Sequence, residues 1–119
     1  MATQNALLAV KPLERRRSQR FLHIVPLVIR GESNQRKPFW EDTFSISISA
    51  HGALIILATK VAIGQTLILM NPQNWDERDV CVARLGSFDG DRAHVGVEFT
   101  NPAPVFWPAG ALSLRTRRS

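Results

Sequence analysis

The chain has 119 residues, of which 45% are hydrophobic, and this size and composition fit one globular domain with a packed core. No apolar run approaches the roughly 18 residues of a membrane-spanning helix, and the N-terminus lacks the features of a secretory signal. The single cysteine, Cys81, excludes an internal disulfide and a cysteine-rich metal site. These features predict a domain that works in a reducing cytoplasm.

The net charge of +5 is unevenly distributed along the chain. Residues 1–40 carry eight Lys or Arg against two acids, residues 41–110 carry four against eight, and residues 111–119 carry three against none. A general nucleic-acid-binding protein more often spreads basic residues over the body of its fold. Here the body is acidic, so we expect anions to be attracted only to the ends of the chain.

The first third of the chain predicts a flexible lead-in, a charge run and a strand. Residues 1–13 form the lead-in, and Glu14–Arg20 carry four arginines directly before the apolar, β-branched stretch Phe21–Ile29. Because proline cannot donate to a strand ladder, Pro26 predicts an edge strand or a bulge. The polar residues 31–37 predict a loop or the tip of a hairpin.

The clearest structural signal is the strict alternation of Phe44–Ser49, which predicts a half-buried strand. The alternation places its three serines together on the face opposite its apolar residues. Ala50–Gly52 breaks the pattern and predicts a turn or a bulge, in which Gly52 is free to take a positive φ.

Four further short strands follow, each bounded by Gly, Asn, Asp or Pro: Ala53–Leu57, Gly64–Met70, Asp79–Leu85 and Ala93–Phe99. Six short strands without a helical period predict an all-β fold, a small six-stranded antiparallel β-barrel over residues 14–107.

The end of the chain predicts a basic tail over residues 108–119. Its prolines make a long C-terminal helix unfavourable, and we expect Phe106 and Trp107 to cap the end of the barrel.

Nothing in the sequence indicates catalysis. Cys81 lies in an apolar strand, where a lone cysteine is typically a small buried hydrophobic residue. The three histidines show no metal-ligand spacing, and the acids cluster in predicted loops. We therefore expect no enzymatic activity, no metal and no cofactor; the residues considered are His23, His51, His94, Asp76, Glu77, Asp79, Asp89 and Asp91.

The arginine run and the serine strand are the two features that suggest ligand binding. The planar guanidinium fork suits phosphate oxygens and the O6/N7 edge of guanine. Ser47 and Ser49 would offer hydroxyl groups to the same ligand, and Gly52 would let the backbone approach it closely. By itself, an arginine run also fits a solvated tail or a nonspecific contact with a polyanion.

These residues resemble two motifs of the PilZ domain family, RxxxR and [D/N]xSxxG. The first corresponds to Arg16–Arg20 ahead of a strand, and the second to Ser47–Gly52 some thirty residues later. Residues 96–99, GVEF, are similar to the G-[IV]-x-F strand near the end of PilZ domains. The resemblance covers about residues 15–99.

The resemblance implies a six-stranded β-barrel that binds the bacterial second messenger cyclic di-GMP. It implies that Arg16 and Arg20 contact guanine edges and phosphates, with Arg15 and Arg17 as supporting charges. Ser49 and Gly52 match the motif serine and glycine. Ser47 stands where the family has Asp or Asn. One hydroxyl therefore replaces a carboxylate or carboxamide, which can form two hydrogen bonds with guanine.

Three functions therefore remain open at this stage. The first is a cyclic di-GMP receptor that reports to a downstream protein partner. The second, suggested by Ser47, is a degenerate PilZ domain that does not bind nucleotide and acts as a protein–protein interaction module. The third is a nonspecific binder of nucleic acid or anionic membrane that uses both basic ends, including Arg115, Arg117 and Arg118; we expect no sequence-specific nucleic-acid partner.

Overall fold

A computed structural model describes residues 20–108 and 111–112, apart from the side chains of Asp89 and Pro104. Arg15, Arg16, Arg17 and the three C-terminal arginines lie outside the described residues. The elements are β1 Phe21–Leu22, β2 Pro26–Glu32, β3 Pro38–Ser49, β4 Gly52–Leu57, β5 Thr66–Asn71, β6 Asp76–Asp89, β7 Arg92–Phe99 and a 3-10 turn, Pro104–Phe106.

The strands form a closed antiparallel barrel with the order β3-β2-β5-β6-β7-β4, and the pairing of β4 with β3 closes the ring. The two-residue β1 adds a short seventh strand beside β3. The first half of β3 pairs with β2, and its second half pairs with β1 on one side and β4 on the other. The predicted all-β, six-stranded antiparallel barrel is confirmed.

Several strands have different bounds from those predicted. The stretch 21–29 is divided into β1 and β2 because residues 23–25 leave the regular ladder, and Pro26 begins the second strand. Strand β3 begins at Pro38, six residues earlier than the alternation indicated, because residues 38–43 pair with β2. These residues mix aromatic and charged side chains, so the sequence pattern did not show them as part of the strand. Strand β6 also extends beyond the predicted 79–85 at both ends, because pairing with β7 continues as far as Asp89.

A β-bulge inside β3 changes which way its serines face. The ladder between β3 and β4 shifts register between Ser45 and Ser47. Ser45 is completely buried, where its Oγ accepts a hydrogen bond from the Val25 amide (2.9 Å) and donates one to the His23 carbonyl (2.6 Å). The prediction that all three serines share one face was wrong, because an extra residue inverts the inside–outside alternation.

The core is filled by apolar side chains from β1 to β7 and is completed by the segment after β7. Phe106 and Trp107 are buried and pack edge-on against each other, with ring centroids 5.0 Å apart. Both also contact the Phe99 ring, at 5.4 and 5.8 Å. Such pairs contribute about 1 kcal/mol each beyond their buried area. The expected aromatic cap is therefore part of the core.

Cys81 differs from its prediction because it is only half-buried. Its neighbours Val80 and Val82 are completely buried and face the core, so the alternation of β6 turns Cys81 to the outer face.

Candidate functional site

A shallow cleft crosses the outer surface of the barrel where β3, β4, β7 and β6 lie side by side. The volume of the cleft is about 70 Å³. A pocket that encloses a drug-sized ligand has roughly 300–1,000 Å³. A nucleotide-sized ligand would therefore lie across this surface. The cleft is lined by Arg20, Ser47, Ile48, Ser49, His51, Gly52, Ala53, Leu54, Ala83, Arg84, Gly96, Val97 and Glu98.

Two rows of cross-strand neighbours form the floor of the cleft. In the first row, Ser47 pairs with Leu54, Leu54 with Gly96, and Gly96 with Arg84. In the second row, Ser49 pairs with Gly52, and Gly52 with Glu98. Each row contains a glycine, so the middle of the floor is largely bare backbone.

The turn between β3 and β4 is held from inside by the hydroxyl of Ser49. Its Oγ accepts hydrogen bonds from the amides of His51 (3.1 Å) and Gly52 (3.2 Å). Short polar side chains commonly stabilise turns in this way. The Ser49 side chain is almost fully buried as a result.

The same turn is held from outside by the last residue of β7 and by the segment that follows this strand. The indole Nε1 of Trp107 donates to the Ser49 carbonyl at 2.7 Å. The next two carbonyls, of Ala50 and His51, accept hydrogen bonds from the amides of Ala103 (3.0 Å) and Phe99 (2.7 Å). Three consecutive carbonyls are therefore fixed, and the backbone of the turn has a defined orientation toward the cleft.

Gly52 is required by the sheet rather than by an unusual backbone conformation. It lies in β4, and its φ is not among the positive values, so the prediction of a positive φ was wrong. A Cβ built on Gly52 would lie 2.0 Å from the carbonyl oxygen of Val97. The turn prediction itself is confirmed, because residues 50–51 form the turn.

The charged groups of the cleft stand on its two sides. Arg20, the last residue of the charge run, lines the cleft beside β3, whereas Arg84 and Glu98 stand on β6 and β7. The Arg84 side chain lies against the bare backbone of Gly96, where a Cβ would be 3.2 Å from Nη2. Glycine at position 96 therefore leaves the space that this guanidinium occupies.

The sequence model of the PilZ domain family matches residues 14–105 of the chain. The chain belongs to the PilZ domain family. Among curated proteins, no match to this PilZ domain was found.

Among solved structures, this PilZ domain is similar to the Bacillus subtilis inhibitor of motility (MotI/DgrA), with 23% sequence identity and a TM-score of 0.60. The similarity covers 87% of this chain and 51% of that one, so the chain spans about half the length of that protein. At this identity the similarity demonstrates a shared fold alone.

PilZ domains are generally non-enzymatic receptors for cyclic di-GMP. Within residues 20–108 and 111–112, no three His, Cys, Asp or Glu side chains are grouped in a way that would hold a metal ion. In the same part of the chain, no helix has the length and apolar character needed to cross a bilayer.

The cleft brings together four of the seven residues proposed from the sequence: Arg20, Ser47, Ser49 and Gly52. Arg15, Arg16 and Arg17 lie outside the described residues. Arg84 and Glu98 also line the cleft and were not predicted from the sequence. The alternation of residues 93–99 places Gly96 and Glu98 on one face, but nothing local indicates that this face adjoins Ser49.

Proposed function

We propose that this PilZ domain is a non-enzymatic receptor for cyclic di-GMP, which binds across the cleft on β3, β4 and β7. The observation that supports this most strongly is that residues of both motifs, Arg20 from the first and Ser47, Ser49 and Gly52 from the second, line one cleft. The two segments are distant in sequence, and the barrel brings them together through β1 and β3.

Arg20 and Arg16 provide the charge in this proposal. A guanidinium donates two parallel hydrogen bonds to O6 and N7 of guanine or to phosphate oxygens. Arg16 precedes Arg20 by four positions, within the run of four arginines. Arg15 and Arg17 would add to the local positive potential without direct contact with the base.

Ser49 acts as a hydrogen-bond donor in this proposal. A serine hydroxyl has one proton and two acceptor lone pairs. The amides of His51 and Gly52 use the acceptor side of Ser49 Oγ. The proton therefore remains to be offered to an acceptor on the ligand, a phosphate oxygen or a base oxygen.

Titration calorimetry with the wild type, Arg16→Ala and Arg20→Ala tests the site. Each arginine variant should bind cyclic di-GMP roughly ten- to a hundredfold more weakly, because one bidentate contact is lost. Arg92→Ala is the matched control, since Arg92 is exposed at the far end of β7. Wild-type protein that releases no heat, or arginine variants that match Arg92→Ala, would contradict the proposal.

A second function, an interaction module that has lost the nucleotide, is favoured by Ser47. The hydroxyl at this position replaces a carboxylate or carboxamide, so one paired contact with guanine is missing. Under this alternative neither the wild type nor Ser47→Asp binds cyclic di-GMP. Binding by the wild type, whether or not Ser47→Asp tightens it, removes this alternative.

We place the receptor in the cytoplasm, with a protein partner downstream. A ligand that contacts both Arg16 and Arg20 would fix the segment preceding β1 on the barrel surface. A partner that recognises this arrangement would respond to the ligand through its higher affinity for the bound state. Partner capture in the presence and absence of cyclic di-GMP measures that difference.

The third function, nonspecific binding of nucleic acid or anionic membrane, predicts a steep salt dependence without base preference. If random DNA binds weakly at physiological salt while cyclic di-GMP binds, that function is excluded. Fluorescence anisotropy at two salt concentrations makes the comparison.

A further inference from the structure

The wall of the cleft opposite the motif residues carries a cation and an anion, Arg84 and Glu98. Both side chains are exposed and both line the cleft. Among the described residues that line it, Glu98 is the one acid. Neither residue belongs to the two motifs, and the proposed contacts so far give them no role.

The first row of the floor shows how Arg84 reaches the ligand surface. Ser47 and Arg84 stand at the two ends of a row that spans four strands. Neighbouring strands are about 4.8 Å apart, so the row is roughly 14 Å wide. Because the Arg84 side chain lies over Gly96, its guanidinium extends inward from the far end of the row.

The second row places Glu98 close to the motif serine. Ser49 and Glu98 are both ladder partners of Gly52, which has no side chain to separate them. At two strand spacings, roughly 10 Å between backbones, a flexible glutamate reaches over the glycine. Glu98 lines the same cleft as Ser47 and Ser49, and its side chain is long enough to bring a carboxylate to a ligand that lies across Gly52.

Guanine presents two kinds of group to such a surface. O6 and N7 accept hydrogen bonds, and the Watson–Crick edge carries the N1 and N2 donors. A carboxylate is an acceptor with two oxygens and matches the paired donors, which a single serine hydroxyl does not. A guanidinium matches the paired acceptors.

We infer that the β6–β7 wall reads the guanine base: Glu98 supplies the carboxylate that position 47 lacks, and Arg84 donates to O6 and N7 or to a phosphate. This inference rests on the proposed function. It explains how a domain with Ser47 retains a full set of complementary groups. The acid is supplied from β7 instead of β3.

A double-mutant cycle tests the role of Glu98 by calorimetry with cyclic di-GMP. Glu98→Gln should weaken binding about tenfold or more in the wild-type background. In a Ser47→Asp background, the same change should weaken binding less than about threefold, because the new acid takes over the contact. Asp91→Asn is the control, since Asp91 is exposed in the β6–β7 turn.

The test of Arg84 uses Arg84→Gln and Arg84→Lys, with cyclic di-AMP as the second ligand. Arg84→Gln should weaken cyclic di-GMP about tenfold and reduce its preference over cyclic di-AMP, since adenine lacks the O6 acceptor. Arg84→Lys keeps the positive charge but loses the planar guanidinium fork. Expressed as a free energy, it should therefore restore less than half of the preference for cyclic di-GMP over cyclic di-AMP that Arg84→Gln loses.

The outcomes separate the inference from the proposed function. If the wild type binds but Glu98→Gln and Arg84→Gln bind equally well, the inference is overturned and the receptor function stands. If the wild type does not bind at all, both are overturned. Because both side chains are exposed, thermal unfolding of these variants should match the wild type.

Discussion

Two β-turns on opposite sides of this barrel are built in contrasting ways. In the β3–β4 turn, three consecutive carbonyls accept bonds from residues 99–107, and a buried hydroxyl binds two amides. In the β6–β7 turn, Gly90 and Asp91 are both exposed, and among the described residues no hydrogen bond from outside the hairpin reaches them. The contrast indicates that the fold fixes the backbone beside the cleft and leaves the other turn to local conformational preference.

Of the substitutions that test this contrast, Gly52→Ala, next to the β3–β4 turn, should have the largest effect on the free energy of unfolding. The new Cβ would overlap the Val97 carbonyl, 2.0 Å away, and force β4 from β7. We expect a loss of about 3 kcal/mol in the free energy of unfolding, as for severe overpacking. Urea denaturation measures it, and a loss below about 1 kcal/mol would show that the strands separate easily.

Trp107→Phe should have the next largest effect. It keeps an aromatic ring in the core but removes the donor to the buried Ser49 carbonyl. We expect a cost of about 2 kcal/mol and weaker binding of cyclic di-GMP, because the turn loses one of its anchors. Trp40→Phe is the control, since Trp40 is 63% exposed and its replacement should change the unfolding free energy by less than about 0.5 kcal/mol.

Ser49→Ala should cost about 1–2 kcal/mol in the free energy of unfolding, because two amides lose their acceptor. It should also abolish the proposed donor to the ligand, so affinity should fall further than in Trp107→Phe. Calorimetry and urea denaturation on the same samples compare the two losses. Equal affinities would mean that Ser49 only supports the turn.

In the β6–β7 turn, Gly90→Ala should cost about 1 kcal/mol, because an alanine is strained at the φ of +72° that Gly90 adopts. Apart from the adjoining residues, no described atom lies within 4 Å of the new Cβ, so no clash adds to this cost. Affinity for cyclic di-GMP should remain unchanged. A change in affinity would contradict the independence of the two turns.

The smallest effect is expected from Phe88→Ser beside that turn. Phe88 is 69% exposed, so the unfolding free energy should change by less than about 0.5 kcal/mol. Urea denaturation measures the change. A large loss of stability would show that the ring is covered in solution.

The sequence was sufficient to predict the barrel, because its strands carry period-two patterns separated by turn residues. It also identified Ser49, Gly52 and Arg20 as neighbours through the motif resemblance. It did not reveal the bulge at Ser45–Ser47, because FSISIS alternates without a break and the extra residue is defined by pairing with β4. Ser45, which the alternation placed on the same face as Ser47 and Ser49, is therefore a core residue.

The role of Gly52 and the far wall of the cleft were also beyond sequence reasoning. Gly52 is needed because the Val97 carbonyl lies close to it, and Val97 is 45 positions later in the chain. Arg84 and Glu98 reach the cleft through register in the β4–β7–β6 ladders. Such register depends on the whole sheet and has no local signal.

The bond between Trp107 and Ser49 also bears on the order of folding. It joins residues 58 positions apart, and contacts of such range form late because the intervening chain must first be ordered. The β3–β4 hairpin can form early from neighbouring residues, but its turn lacks its outer anchors until the aromatic segment docks. A partly folded molecule would therefore have a barrel wall before the backbone beside the cleft is fixed, and under the proposed function the ligand would select molecules in which folding is complete.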